Sequence, residues 1–484
     1  MSYYKDLREH IEALEKKGQL IRIKRPINKD TELHPIVRWQ FRGLPEEERK
    51  AFLFENVFDS KGRKYDIPVL VASHAASNYI YATGMMCQPE EIYQRWADAQ
   101  LNPVPPKLVE TGVVHEEIHT GDRLLEHGGL EEFPVPISTP GFDNAPYLTA
   151  ANWVTKDIES GSINVGNYRA MVKSRTRLGI ECGPPQHFNT HLEKCRARGV
   201  PLQAAIVMGA PPAVGYAGTA KLPYSLGEYD VAGGIAREPI ELVKCKTVDL
   251  EVPATAEIVL EGELPTDMIE REAPFGEFTG FMGLEQWGAF FNVKCITHRK
   301  NPILNAFLSQ FPPSESSKLR QVSTAGVLFK FLKYDCNIPS ILGVGVHESG
   351  GSSKYVAIRM KKTHPSQVWQ ALNGASAIMP GVGKIIVAVD EDIDPNDPDS
   401  INWAMSFRME PERDIRITPG KVAGLDPSGS PPGDPNQRYP LPGGSSGLLI
   451  DATRKWDYSP TSLPRKDIME RAKEIWEAEG LPAL

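Results

Sequence analysis

Two glutamates, Glu272 and Glu277, stand five residues apart across Ala273-Pro274-Phe275-Gly276, a run whose Pro and Gly forbid a regular helix. A turn of that kind can aim both acids into one cleft. Carboxylates held close repel, so one of the two is expected to keep a proton near neutral pH, the condition that general acid and base chemistry requires. On their own they also read as two solvated acids on a hairpin. Further polar residues lie upstream, in Asn164-Val165-Gly166-Asn167-Tyr168-Arg169, Pro185-Gln186-His187 and Leu226-Gly227-Glu228-Tyr229-Asp230. Asn164, His187 and Glu228 would offer two oxygens and one imidazole nitrogen, a set better matched to Mn²⁺ or Mg²⁺ than to zinc, with positions left open for a phosphate. Spacing alone does not single them out as ligands.

Competing patterns fail on context. His115-Glu116-Glu117-Ile118-His119 matches the His-Glu-x-x-His of zinc metallopeptidases, but Val113-Val114 before it and Thr120-Gly121-Asp122 after it read as a short strand rather than a helix. Asp390-Glu391-Asp392-Ile393-Asp394-Pro395 has Pro where a calcium loop turns on Gly, and reads as a solvated strand end. No Gly-x-Gly-x-x-Gly opens a helix after a strand, and Gly381-Val382-Gly383-Lys384 runs into Ile385 where a P-loop needs Ser or Thr.

The runs around Asn164, His187, Glu228 and Glu272, together with Val252-Pro253-Ala254-Thr255-Ala256-Glu257, Lys384-Ile385-Ile386-Val387-Ala388-Val389-Asp390 and Gly447-Leu448-Leu449-Ile450-Asp451-Ala452-Thr453, resemble the UbiD-type decarboxylases, which use prenylated FMN. The resemblance covers most of the chain. It implies that Asn164, His187 and Glu228 hold Mn²⁺ (or Mg²⁺) against the cofactor phosphate, with K⁺ on nearby main-chain carbonyls. It implies further that Val165, Gln186, Gly218, Thr219, Ala220 and Lys384 surround the cofactor, and that Arg169, Glu272 and Glu277 are the catalytic set, Glu277 donating the proton. The reaction implied is non-oxidative, reversible decarboxylation of an aromatic or α,β-unsaturated acid. A prenyl-FMN synthase would supply the cofactor, and the chain would form a homodimer or a higher homo-oligomer.

The chain departs from the family in one place. Gly218-Thr219-Ala220-Lys221-Leu222-Pro223 stands where relatives often carry serines, so backbone groups would take over from hydroxyls. Gly183, before Pro184-Pro185-Gln186-His187, suggests room for a ring system. The alternative of a flavin-storing or flavin-delivering protein needs the phosphate site but not Arg169, Glu272 and Glu277; a zinc peptidase would need His115 and His119.

The elements that must position these residues follow an α/β, β, α/β order. Leu7, Ile11 and Leu14 share a helical face over Asp6 to Lys17, Phe52 to Phe54 and Ile67 to Val71 read as strands, and Pro89 to Ala99 as a helix. From there to about residue 310 the signal is mainly β, as in Ala204 to Met208, Ala256 to Gly262 and Phe290 to Ile296. The resemblance makes this a split β-barrel of the flavin-reductase type. The expectation is an α+β multidomain fold, with an N-terminal α/β region over 1–110, the barrel over 111–315 holding the site, and a C-terminal α/β oligomerisation domain over 316–484. In the last, Ile341 to Val346 and Lys384 to Val389 read as strands, and Pro365 starts a helix running toward Asn373-Gly374. Pro419 to Gly447 reads as a loop or lid. Ile468, Ala472, Ile475 and Trp476 form a terminal helical stripe, packed on its own domain by default and exchanged between subunits by family.

Composition bounds these readings. With 484 residues, 41% hydrophobic and 24% charged, the chain is long enough for two or three ordinary globular domains. A net charge of -8 argues against a nucleic-acid partner. No apolar run approaches the ~20 residues of a bilayer span, and Met1 to Leu7 lacks a signal core, so a cytoplasmic protein without a membrane partner is expected. The 6 cysteines show no Cys-x-x-Cys spacing, as fits reduced thiols.

Overall fold

Three layers of secondary structure converge on the segment between residues 164 and 320. The computed structural model describes residues 2–183, 186–421, 425–429 and 445–482. At the N-terminus, the helix Leu7–Lys16 starts where the Asp6 carboxylate accepts from the Arg8 and Glu9 N–H groups, and it buries Leu7, Ile11 and Leu14 as the spacing required. It lies beside a four-stranded sheet in the order Leu20–Ile23, Ala51–Phe54, Val69–Val71, Leu304–Ala306. The last strand comes from the far end of the central region and pairs parallel with Val69–Val71. Pro89–Glu91 forms a 3-10 turn that runs into the helix Ile92–Leu101.

The central region is a ten-stranded sheet whose hydrogen-bonded path runs Ile163–Asn167, Asn152–Lys156, Leu202–Met208, Ile258–Leu264, Gln286–His298, Arg177–Ile180, Ala170–Ser174, Tyr147–Leu148. Glu117–Thr120 and Glu270–Glu272 attach to the long strand Gln286–His298. The path is open-ended, so a closed barrel is not what the pairing alone describes. Where Ile258–Leu264 meets the long strand the register shifts between Glu261 and Gly262, and a Cβ on Gly262 would lie 1.9 Å from the Asn292 carbonyl oxygen. Only glycine tolerates that approach. Gly262→Ala is therefore expected to cost at least about 1–3 kcal/mol, read as a lower urea midpoint at unchanged slope. A midpoint equal to that of the native chain would mean the strands separate freely there.

The C-terminal sheet has five strands in the order Ile341–Val346, Tyr355–Met360, Ile385–Val389, Ser445–Ala452, Ile415–Lys421, parallel in the middle and antiparallel at both edges. The central strand Ile385–Val389 is covered on both faces, hence its uninterrupted apolar run. Val356, Ile386 and Ala388 cluster with Val368 and Leu372 of the helix Ser366–Ile378, while Val387 and Val389 cluster with Ile401 and Ala404 of the helix Pro398–Arg408.

Four expectations need correcting here. The helix begun at Pro365 passes through Asn373-Gly374 to Ile378, because Gly374 is a point of close packing: a Cβ there would sit 3.1 Å from Leu332. Pro419 to Lys421 and Ser445 to Gly447 belong to strands rather than a lid, since Ile415–Lys421 pairs with Ser445–Ala452; residues 422–424 and 430–444 of that stretch lie outside the described residues. Asp390 is not a solvated acid but is 4% exposed and paired to Arg408 at 3.0 Å, with Asp392 held by the same guanidinium at 2.7 Å. The terminal helix Lys466–Ala478 buries none of its residues, leaving Ile468 and Ile475 about half exposed, so it does not pack on its own domain. Among the described residues no helix is long and apolar enough to cross a membrane.

Candidate active site

The catalytic candidates come from two neighbouring pieces of backbone. Arg169 lies in the short connection between Ile163–Asn167 and Ala170–Ser174, strands whose pairing on opposite ends of the central sheet turns its side chain into the interior. Glu272 closes the strand Glu270–Glu272, paired opposite Gln286. The chain then turns through a cis Ala273-Pro274 bond into Phe275–Gly276, which pairs with Met282–Gly283, and Glu277 follows with its N–H on the Phe281 carbonyl. Pro274 and Gly276 thus lie between the two acids, ahead of the 277–281 turn that joins the paired strands.

These elements bring the guanidinium between the two acids. Arg169 donates from Nε and Nη2 to the two oxygens of Glu272 at 2.9 and 2.7 Å, and from Nη1 to Glu277 Oε1. All three are buried, at 9%, 1% and 8% exposure for Arg169, Glu272 and Glu277. The Phe275 ring lies 5.4 Å below the guanidinium carbon. Burial alone would lower the Arg169 pKa, but Glu277 and Glu272 hold it well above the ordinary value. Burial pushes the Glu277 carboxyl up, Arg169 pulls it partly back, and the Glu181 carboxylate adds to the rise. The net shift of Glu277 is upward, in the direction that favours its protonated form.

Arg169 and Glu277 line a cavity of about 650 Å³. Its wall also carries Asn164, Val165, Gln186, His187, Gly218, Thr219, Ala220 and Glu228, eight of the residues expected around a cofactor. Glu272 stands behind Arg169 and does not line the cavity. Asn164 and Val165 belong to Ile163–Asn167; His187 opens the helix His187–Ala197, Gly218 and Thr219 end Pro212–Thr219, and Glu228 opens Glu228–Ala236. The Val165 N–H donates to Glu228 Oε2 at 2.9 Å.

This group fits a cation bound with an anion. Burial raises the Glu228 carboxyl to about 7 although the Val165 N–H and Lys221 oppose it, so a cation bound beside it would stabilise its charged form. Asn164 is 4% exposed yet its Nδ2 has no partner, and a turn of the amide would present the oxygen's lone pairs instead. His187 packs edge-on to Tyr224 at 4.9 Å, and burial together with Lys221 lowers its pKa, which favours the neutral, ligating ring.

Lys384 stands apart from this arrangement. It does not line the cavity: its Nζ is held by Asp426 at 2.8 Å and by Ser428. Lys354, in the turn just before the strand Tyr355–Met360, lines it instead, with its Nζ on the Gly381 carbonyl at 3.0 Å. Gly183 is not on the wall either, and a Cβ there would meet nothing within 4 Å, so it carries no information on ring size. Pro184 and Pro185 lie outside the described residues. His115 ends a 3-10 turn and His119 sits in the strand Glu117–Thr120, so the two imidazoles do not share a helical face.

Several cavity residues were not singled out by sequence. Arg320, on the helix Glu315–Lys330, stacks on Phe278 at 4.1 Å; burial lowers its pKa, with Glu277 opposing. Lys221 is pushed down to about 8 by burial and by Arg320. Glu181, Phe278, Met379 and Pro380 complete the wall. The site thus extends beyond the central region, because the C-terminal region supplies part of the enclosure.

Comparisons with known proteins agree along the chain. Three sequence models of 3-octaprenyl-4-hydroxybenzoate carboxy-lyase match it, the N-terminal domain over residues 11–100, the Rift-related domain over 107–311 and the C-terminal domain over 321–452. Phenolic acid decarboxylase of Bacillus subtilis (strain 168) is 31% identical over 443 residues, covering 89% of this chain and 90% of that protein. In fold, the chain is similar to an evolved dimeric form of the UbiD-class enzyme HmfF from Pelotomaculum thermopropionicum in complex with prFMN, with TM-score 0.81, 28% identity, and 97% and 100% of the two chains covered. The closed form of vanillic acid decarboxylase from Sedimentibacter hydroxybenzoicus gives TM-score 0.83 at 28% identity, covering 99% of each chain.

Proposed function

The chain belongs to the UbiD family of carboxy-lyases, and from that premise we propose that it removes CO2, reversibly and without net oxidation, from an aromatic or α,β-unsaturated carboxylic acid. The observation that carries this reading is the Arg169 guanidinium, clamped by Glu272 and Glu277 on the wall that also carries Asn164, His187 and Glu228. A protein that only stored flavin would have no use for the buried trio.

Prenylated FMN, when bound, supplies the electron sink that no side chain offers. Asn164, His187 and Glu228 would hold Mn²⁺ (or Mg²⁺) for its phosphate, main-chain carbonyls would hold K⁺, and Lys221, Arg320 and Lys354 add positive charge to the wall. Arg169 keeps Glu277 oriented and presents donors to the substrate carboxylate. Glu277, protonated, delivers its proton from a carboxyl oxygen to the carbon that has lost CO2, and recovers a proton from solvent. Glu272, fully committed to Arg169, is a positioning residue. Hydrophobic side chains such as Phe275, Phe278 and Phe307 keep water from the reacting carbon.

The finer architecture follows the same reading. We take the central sheet as a split barrel, supported by the Tyr168 N–H donating to the Ala151 carbonyl at 3.2 Å, where Tyr147–Leu148 leads into Asn152–Lys156 and Ile163–Asn167 into Ala170–Ser174. Chain continuity there joins the two ends of the hydrogen-bonded path. Boundaries near 110 and 315 are supported by the family-model ranges. The bare apolar stripe of the terminal helix supports docking on a second copy of the chain. The 6 free thiols fit a cytoplasmic location.

The decisive experiment is CO2 release from a panel of aromatic and α,β-unsaturated acids, using protein produced together with a prenyl-FMN synthase. Release from none, with modified flavin bound, would end the proposal. Glu228→Gln should lower metal content and flavin retained through gel filtration by at least ~10-fold; retention equal to that of the native chain would remove Glu228 from the metal site.

A further inference from the structure

His119, which sequence alone tied to a peptidase motif, faces a different set of groups. It lies on the edge strand Glu117–Thr120, opposite Ile296 of the long strand, which makes His298 its diagonal neighbour on the same face. The two Nε2 atoms are 3.2 Å apart, and Glu132, at the end of the 3-10 turn Gly129–Glu132, brings Oε1 to 3.7 Å from the His298 Nε2. One ligand atom from each of the three lies within 4.8 Å of the others. None of them lines the catalytic cavity.

Proton bookkeeping identifies what is missing. The His298 Nδ1 lies 2.8 Å from the Arg299 carbonyl oxygen, which can only accept, so Nδ1 carries the hydrogen and Nε2 of the neutral ring is a bare lone pair. That lone pair faces a carboxylate oxygen and a second imidazole nitrogen. With Glu132 ionised, at most one proton, from His119, lies among these three atoms. His119 is 2% exposed and its Nδ1 has no hydrogen-bond partner; the Glu126 oxygen is 3.9 Å away. A ring N–H committed to a backbone carbonyl is also the usual support of a metal-ligating histidine. Two nitrogens on one tetrahedral ion at ~2.0–2.1 Å are roughly 3.3 Å apart, close to the spacing observed.

We propose that His119, His298 and Glu132 bind one divalent transition-metal ion of the zinc type, separate from the catalytic site. Two imidazoles and one carboxylate form a three-ligand set, with water in the fourth position. The ion ties the edge strand and the turn to the end of the long strand. The exposed pair His127 and Glu126, grouped with His119, provides an entry path from solvent. His115 belongs to neither group of potential ligands, so zinc lost on replacing His119 would not indicate a peptidase.

The test uses the full chain, stripped with a chelator and titrated with Co²⁺ alone. The expected result is one equivalent with intense tetrahedral d–d absorption, displaced by Zn²⁺, absent in His298→Gln and in Glu132→Gln, and kept in His187→Gln, which lacks only the catalytic-site imidazole. Should His298→Gln fail to fold, Glu132→Gln, changed on the turn rather than in the sheet, gives the same readout. An absent tetrahedral signal in the unaltered chain would overturn the proposal, as would a signal unmoved by Glu132→Gln or one lost only with His187→Gln; the imidazoles would then be a hydrogen-bonded pair.

Discussion

Glu277→Gln is expected to lower turnover by about 10²–10⁴-fold, the usual contribution of a positioned general acid, while metal content and flavin binding stay at the level of the unaltered chain. The amide keeps the shape and can still accept from Arg169, so the loss isolates the proton. The pH dependence has a definite sign. Burial raises the Glu277 carboxyl, so its proton-bearing form persists to higher pH than that of a free glutamate. The donor is depleted as pH rises through that raised value, and kcat should decline on the alkaline side, a limb the variant should lack. Turnover by Glu277→Gln equal to that of the unaltered enzyme would remove Glu277 from the chemistry.

Arg169→Met should destabilise the protein by about 3–5 kcal/mol, because it removes the cation that the buried Glu272 and Glu277 side chains share. Urea unfolding measures this directly. Adding Glu272→Gln to Arg169→Met should restore part of the loss, since the carboxylate that Arg169 gripped with two hydrogen bonds is then gone. A double variant no more stable than the single would mean that Arg169 contributes packing rather than charge compensation. Arg169→Lys keeps the charge and should retain most of the stability, yet a single ammonium cannot bond both oxygens of Glu272 while reaching Glu277, so turnover should still fall.

Local order was legible in the chain because its causes are local. Asp6 caps the helix that Leu7, Ile11 and Leu14 bury, the apolar run from Ile385 is a strand covered on both faces, and Pro274 with Gly276 keeps the segment between the two acids out of a helix. Where a local signal had two meanings, sequence reading erred. Gly374 lies inside the helix expected to run toward it, at a site of close helix packing; Asp390 was taken as solvated but is neutralised by Arg408, 18 residues away. Lys384 was read toward the cofactor, and Asp426 holds it elsewhere.

By itself the sequence determined the family and the residue runs that carry it, along with each element whose hydrophobic period or turn chemistry falls within a dozen residues. Only tertiary structure decided which side chains meet. Arg169 reaches Glu272 and Glu277 across 103 and 108 residues, Arg320 enters the cavity from a helix of the next region, and His119 turns from a false peptidase motif toward His298, 179 residues on. The reason is physical: period and turn type are set by neighbours along the chain, whereas the burial that shifts a pKa or leaves a lone pair without a partner arises only when distant strands pack and water is excluded.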